Sequence, residues 1–169
     1  MFQMYIFGLR PYFILMSLCI GGCSTSAYVS KTLDDANLGL PIKSVRAGGV
    51  WSTGESGRGL QIYVWAESDG SRYQRNLDLE LDGAAKVCAA LAESSRVLEW
   101  AYIDVYYFNT YQRMSAAPHR VVGVAEVIIR RETLAMLHEQ KAPASEYPRH
   151  WRFIAGHKDQ SDTKEILSW

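Results

Sequence analysis

Cysteine is scarce in this chain: Cys19, Cys23 and Cys88 are too few for a disulfide scaffold. Net charge is absent too, since 18 basic side chains balance 18 acidic ones, and no bulk field draws the protein toward nucleic acid or anionic lipid. Neither an internal repeat nor a low-complexity segment is present. Apolar runs are short: Tyr12 to Ile20 covers nine residues, where a helix crossing roughly 30 Å of hydrocarbon needs about 20. What remains is an ordinary globular composition, 48% hydrophobic and 21% charged, of one-domain length at 169 residues.

The nine-residue run has the length of a secretory h-region, which takes about 7–15 apolar residues, and it ends in small side chains. Arg10 is the one charged group before it. The run closes on Ile20, Gly21, Gly22 and Cys23, an aliphatic residue, two small ones and a cysteine. This leader resembles the lipobox of bacterial lipoproteins. The resemblance covers residues 1–23 and implies cleavage between Gly22 and Cys23, with diacylglyceryl transfer to the Cys23 thiol. With about 0.8 kcal/mol per buried methylene, two or three acyl chains hold a protein in the bilayer where one would not. Ser24 in place of aspartate implies export to the outer membrane. Once Cys19 leaves with the leader, Cys88 is the sole thiol besides the lipidated one, so stability must come from packing.

Residues 23–45 are rich in Ser, Thr, Asp, Asn and Gly without helical or strand period, and are expected to form a tether. The domain is then residues 46–169. Its start, with Gly48, Gly49, Gly54, Gly57 and Gly59, suggests a loop with a short strand at Val50 to Ser52. Leu60, Ile62, Val64 and Ala66 alternate with Gln61, Tyr63, Trp65 and Glu67, a strand period. Asp69-Gly70 follows as a turn signal, and Leu77, Leu79 and Leu81 supply a returning arm, so a β-hairpin is expected over about 60–81. A helix capped by Asp82 is expected to about Arg96, with Ala84, Cys88 and Leu91 on one face. Strands are expected over Leu98 to Phe108, Val121 to Ile129 and Trp151 to Ala155, a helix over about 131–141, and a loose tail from His157. This order fits an α+β fold, an antiparallel sheet with one or two packed helices.

Candidate sites are few. Gly54-Glu55-Ser56-Gly57-Arg58-Gly59 approaches a nucleophile elbow, but Arg58 stands where the second glycine belongs, and a strand rather than a helix follows. The same point excludes a phosphate loop. His138-Glu139 lacks a second histidine four residues on, so no zinc-protease pair exists. Asp104, His119 and Ser56 offer the residue types of a hydrolytic triad without evidence of geometry. Cys88, among alanines, has the setting of a small core residue. No catalytic, metal or cofactor residues are therefore assigned.

Aromatics say more. All five tryptophans and eight of ten tyrosines follow the leader, against only Phe108 and Phe153. Parity places Tyr63, Trp65, Trp100, Tyr102 and Tyr106 on one sheet face, opposite an aliphatic one. Such side chains suit a surface that is dry when a partner is bound and wet otherwise. Two arrangements satisfy this pattern: an open patch, or a second core layer covered by the 131–141 helix or the Trp151 strand. The expectation is a non-enzymatic envelope lipoprotein, anchored in the bilayer by Cys23 on the periplasmic side of the outer membrane. It would bind a protein partner or, as second choice, peptidoglycan or another glycan, and no nucleic acid. The competing classes are a small periplasmic hydrolase with Ser56 as nucleophile, and an immunity or inhibitor lipoprotein.

Overall fold

Five strands form one mixed sheet in the order β1 to β5: β1 Ile42–Val50, β2 Gly59–Glu67, β3 Tyr102–Tyr111, β4 Arg120–Arg130 and β5 Arg152–His157. The computed structural model describes residues 24–51, 54–67, 77–111 and 120–157. Helices are α1 over residues 24–35, α2 Leu77–Ala92 and α3 Arg131–Glu139, with 3-10 turns at Val97–Glu99 and Ala144–Arg149. All neighbouring strands run antiparallel except β2 and β3, which are parallel. A parallel pair needs a crossover, and α2 supplies it. The class is α+β, with helices gathered on one side of a mostly antiparallel sheet.

The hairpin is present but with a different second arm. β2 pairs back onto β1, from Ile42 opposite Ala66 to Val50 opposite Gly59, and residues 77–81 are the start of α2. Leu79 there is 62% exposed, so the alternation of leucines was incidental. Residues 77–92 are mostly leucine and alanine, strong helix formers, and the charges of Asp78 and Glu80 in the first turn favour the helix dipole. The Asp69-Gly70 turn lies outside the described residues. The helix expected at 82–96 thus begins five residues earlier and ends at Ala92.

Two further expectations are corrected nearby. The glycine-rich stretch is a loop only in part: Gly48 and Gly49 belong to β1, Gly54 and Gly57 sit in the connecting loop at φ 84° and 83°, and Gly59 opens β2. Residues 24–35 are a helix rather than a tether, burying Val29 and Leu33 in the core. Two large buried apolar side chains in twelve residues make too thin a stripe to read as a period, and tertiary contacts hold the helix instead. Ser26 Oγ donates to the Ala47 carbonyl at 3.0 Å and accepts from the Ala47 amide at 2.9 Å, while the Tyr28 and Ser94 hydroxyls meet at 2.6 Å. Asn37, at φ 46°, ends the helix with a left-handed residue.

The core lies between the three helices and one sheet face. Ile62, Val64, Ile103, Val105, Val127 and Ile129 face α2 through Ala84, Ala85, Cys88 and Leu91, and Leu134 and Leu137 of α3 join them. Small side chains on α2 let it approach closely. At Gly83 no Cβ fits at all, because the Tyr107 ring fills its place. Cys88 is fully buried, and burial pushes its thiol up to about 12, so it packs as a small apolar residue.

Candidate functional site

The opposite sheet face is built from alternate residues of β2 and β3. Parallel register sets Gln61 beside Asp104, Tyr63 beside Tyr106 and Trp65 beside Phe108. Two ring pairs follow from it. Tyr63 and Tyr106 stack with centroids 5.0 Å apart at 18°, and Trp65 and Phe108 at 4.9 Å and 6°. Tyr63 also lies 6.0 Å from Trp65 along its own strand. Phe108 is fully buried with Val124, and Tyr63, Trp65 and Tyr106 are half-buried around it.

Neighbouring strands close the stack at both flanks. β1 brings Arg46 opposite Tyr63, with its guanidinium 5.5 Å from the Trp65 ring centre. β4 brings Glu126 opposite Tyr106 and Val124 opposite Phe108. The ring planes are nearly parallel at about the spacing of adjacent strands, so their faces are turned toward one another. Ring edges and polar tips are left to point outward. The tips are held: Tyr63 donates to Gln61 Oε1 at 2.6 Å and Tyr106 to Glu126 Oε1 at 2.8 Å.

Beneath these tips sits Asp104, 2% exposed. Its Oδ2 accepts a long hydrogen bond from Gln61 Nε2 at 3.4 Å, and its Oδ1 has no hydrogen-bond partner. Burial pushes the carboxyl up to about 7, with the Glu126 charge adding to the shift and Gln61 and Arg152 opposing it. Tyr63 is pushed up to about 12 by burial and then by Asp104 and Glu126, and the Tyr106 phenol is raised by the same causes with burial first. The phenols therefore stay neutral donors at physiological pH, and Asp104 exchanges its proton near neutrality.

Of the five aromatic residues expected on this face, three meet: Tyr63, Trp65 and Tyr106. Tyr102 shares their parity but is 1% exposed; it fills the space above Gly59, and its hydroxyl donates to the Val50 carbonyl at 3.4 Å. Trp100 precedes β3 and packs against the main core, with Arg58 5.1 Å from its ring centre. It cannot join the stack, because the chain turns at the 97–99 segment before the strand period starts. Neither candidate cover lies over the rings: α3 buries Leu134 and Leu137 on the aliphatic side, and Trp151 packs against that same core. Sequence reasoning missed Phe108, Gln61 and Glu126 as site residues, and considered Asp104 only with Ser56 and His119 as a hydrolytic triad, not with the rings. A lone acid in phase with aromatics along β3 was the available signal for Asp104; Glu126 needed the β3 to β4 register.

Ser56 is exposed and lines a hollow of about 500 Å³ with Glu55, Gly57, Ala101, Arg130 and Glu132, among others. Asp104 and the described histidines are not among its lining residues, and His119 lies outside the described residues. Glu55 pins this loop by ion pairs to Arg130 Nε at 3.0 Å and an Arg152 guanidinium nitrogen at 3.2 Å. Among the described residues no three metal-capable side chains are gathered, and no helix is long and apolar enough to cross a membrane. Cys23 and the leader lie outside the described residues. Compared with known proteins, the chain matches no family model, no curated protein and no solved structure.

Proposed function

We propose that this chain is a lipoprotein of the bacterial cell envelope, held by acylated Cys23 at the periplasmic face of the outer membrane, and that it works as a non-enzymatic binding module. The anchor rests on the Ile20-Gly21-Gly22-Cys23 leader. The binding role rests on one observation: a half-buried stack of Tyr63, Trp65, Tyr106 and Phe108 on the sheet face that no described helix covers. Buried aromatic anchors with polar tips are the side chains that dominate protein interfaces. A protein partner fits better than a glycan, because Trp65, the ring best suited to stack on a sugar, already has Phe108 stacked on it and the Arg46 guanidinium over it.

Crosslinking pull-down from intact membranes tests both halves. Trp65→Ala is expected to lose the captured partner while keeping a cooperative thermal transition, and Cys23→Ser to move the protein out of the membrane fraction. A capture pattern unchanged by Trp65→Ala sinks the binding face, and recovery of a glycan in place of a protein corrects the partner. Unchanged membrane retention and mass for Cys23→Ser sinks the anchor.

A further inference from the structure

The end of the molecule from which α1 starts carries chemistry of its own. Residue 24 is already helical, and the helix is tied to the body through Ser26 and Ala47 and through Tyr28 and Ser94. Ser24 and Thr25 line a small hollow of about 150 Å³ together with Arg96, Glu99 and Trp100. Adjacent Cα atoms are about 3.8 Å apart, so an anchor on residue 23 has no slack. A lipid there brings this end of the folded body against the headgroups.

Its side chains suit that contact. At this end β1 and β4 finish and β2, β3 and β5 begin. It holds Arg58, Arg96, Arg130, Arg131 and Arg152, all exposed, against three glutamates. One of those, Glu55, is mostly enclosed by Arg130 and Arg152. Arg58 lies over Trp100 and Arg96 over Tyr28, at 5.1 and 4.8 Å from the ring centres. Just past β1, Trp51 is 71% exposed, a large apolar ring facing solvent. The chain's overall neutrality hides this local excess. Tryptophan with arginine is the pairing that settles at a membrane interface, with ring at the headgroup level and guanidinium on phosphate.

We infer that this strand-end surface, led by Trp51, Arg58 and Arg96, docks on an anionic phospholipid surface and sets the orientation of the anchored protein. The inference rests on the lipidation of Cys23 for its geometry, and its chemistry is independent of it. With the sheet standing on this end, Trp65 lies six residues up β2 from Gly59, about 20 Å above the headgroups at ~3.3 Å per residue. The aromatic face is then presented sideways to a neighbour in the periplasm.

The test is tryptophan quenching by brominated acyl chains in vesicles of phosphatidylethanolamine with phosphatidylglycerol, using the purified full-length protein, Trp51→Phe, and Arg58→Glu combined with Arg96→Glu. The wild type is expected to lose a fluorescence component that Trp51→Phe lacks, and the double charge reversal to abolish most of that loss. Equal quenching of wild type and Trp51→Phe in protein that sediments with the vesicles overturns the docking surface. The mass at Cys23 reports the anchor separately. If the thiol is unmodified, the anchor reading fails, and quenching of Trp51 on added anionic vesicles still upholds the docking surface while its absence overturns it.

Discussion

The two faces of the sheet use the same strands for different ends. On β2, Ile62 and Val64 face three helices and are fully buried, while Tyr63 and Trp65, one residue away, stay half-wet on the other side. The first face is aliphatic and dry. The second keeps a buried carboxyl, Asp104, under a row of rings whose hydroxyls are held by Gln61 and Glu126. Burying Asp104 with one unsatisfied oxygen costs stability, but the core side also buries a carboxyl, Glu80 of α2, so what sets the second face apart is its stacked rings with half-wet polar edges. The contrast separates a layer that holds the fold from a layer that gives up some stability to present shape and polarity.

Substitutions on opposite faces of β2 break that contrast most directly. Ile62→Ala is expected to destabilise by about 2–5 kcal/mol in denaturant unfolding. Trp65→Ala, half-exposed, is expected to cost on the order of 1–2 kcal/mol, with its main effect on partner capture. Equal losses at both positions abolish the distinction between the faces.

A second measurement sharpens the chemistry of the wet face. Between the ordinary aspartate value of 3.8 and about 7, folded Asp104 holds a proton that the unfolded chain has released. The folded state therefore binds more protons across that window. Stability is expected to fall as pH rises through it and to level off above, by a few kcal/mol at most. Asp104→Asn keeps a group for Gln61 to bond and removes the titration. Its urea midpoint should vary less between about pH 4.5 and about pH 8 than that of the wild type, and should be the higher of the two at the alkaline end. An identical pH dependence in both proteins rejects this account of Asp104.

The smallest expected effect is that of Tyr106→Phe. It deletes one hydroxyl and leaves the ring stacked on Tyr63, so a loss of roughly 0.5–1.5 kcal/mol is expected from the missing bond to Glu126. A much larger loss would mean that the phenol tips, rather than the rings, hold this face together.

Local pattern carried part of this molecule in plain view. The two-residue period of β2 and β3 is a property of the strand itself, so the parity of Tyr63, Trp65 and Tyr106 against Ile62, Val64 and Val105 could be read directly. The aliphatic run of β4, buried on both parities around Val124 to Ile129, and the α3 stripe of Leu134 and Leu137 were legible for the same reason.

Other features depended on distant partners. Leu77 to Leu81 alternates like a strand, and became a helix because β2 and β3 pair in parallel and the chain between them must cross over. The helix at residues 24–35 has too few apolar positions to declare itself and exists through Ala47, Ser94 and the core. Asp104 owes its raised carboxyl first to burial and then to Glu126, with Gln61 and Arg152 opposing, and register and sheet order bring these three from other strands. Periodicity along a chain is set by neighbours two to four residues away and is therefore written in the sequence. Which surfaces meet, and so which side chains share a site, is set by contacts across tens of residues, and only the folded sheet decided them.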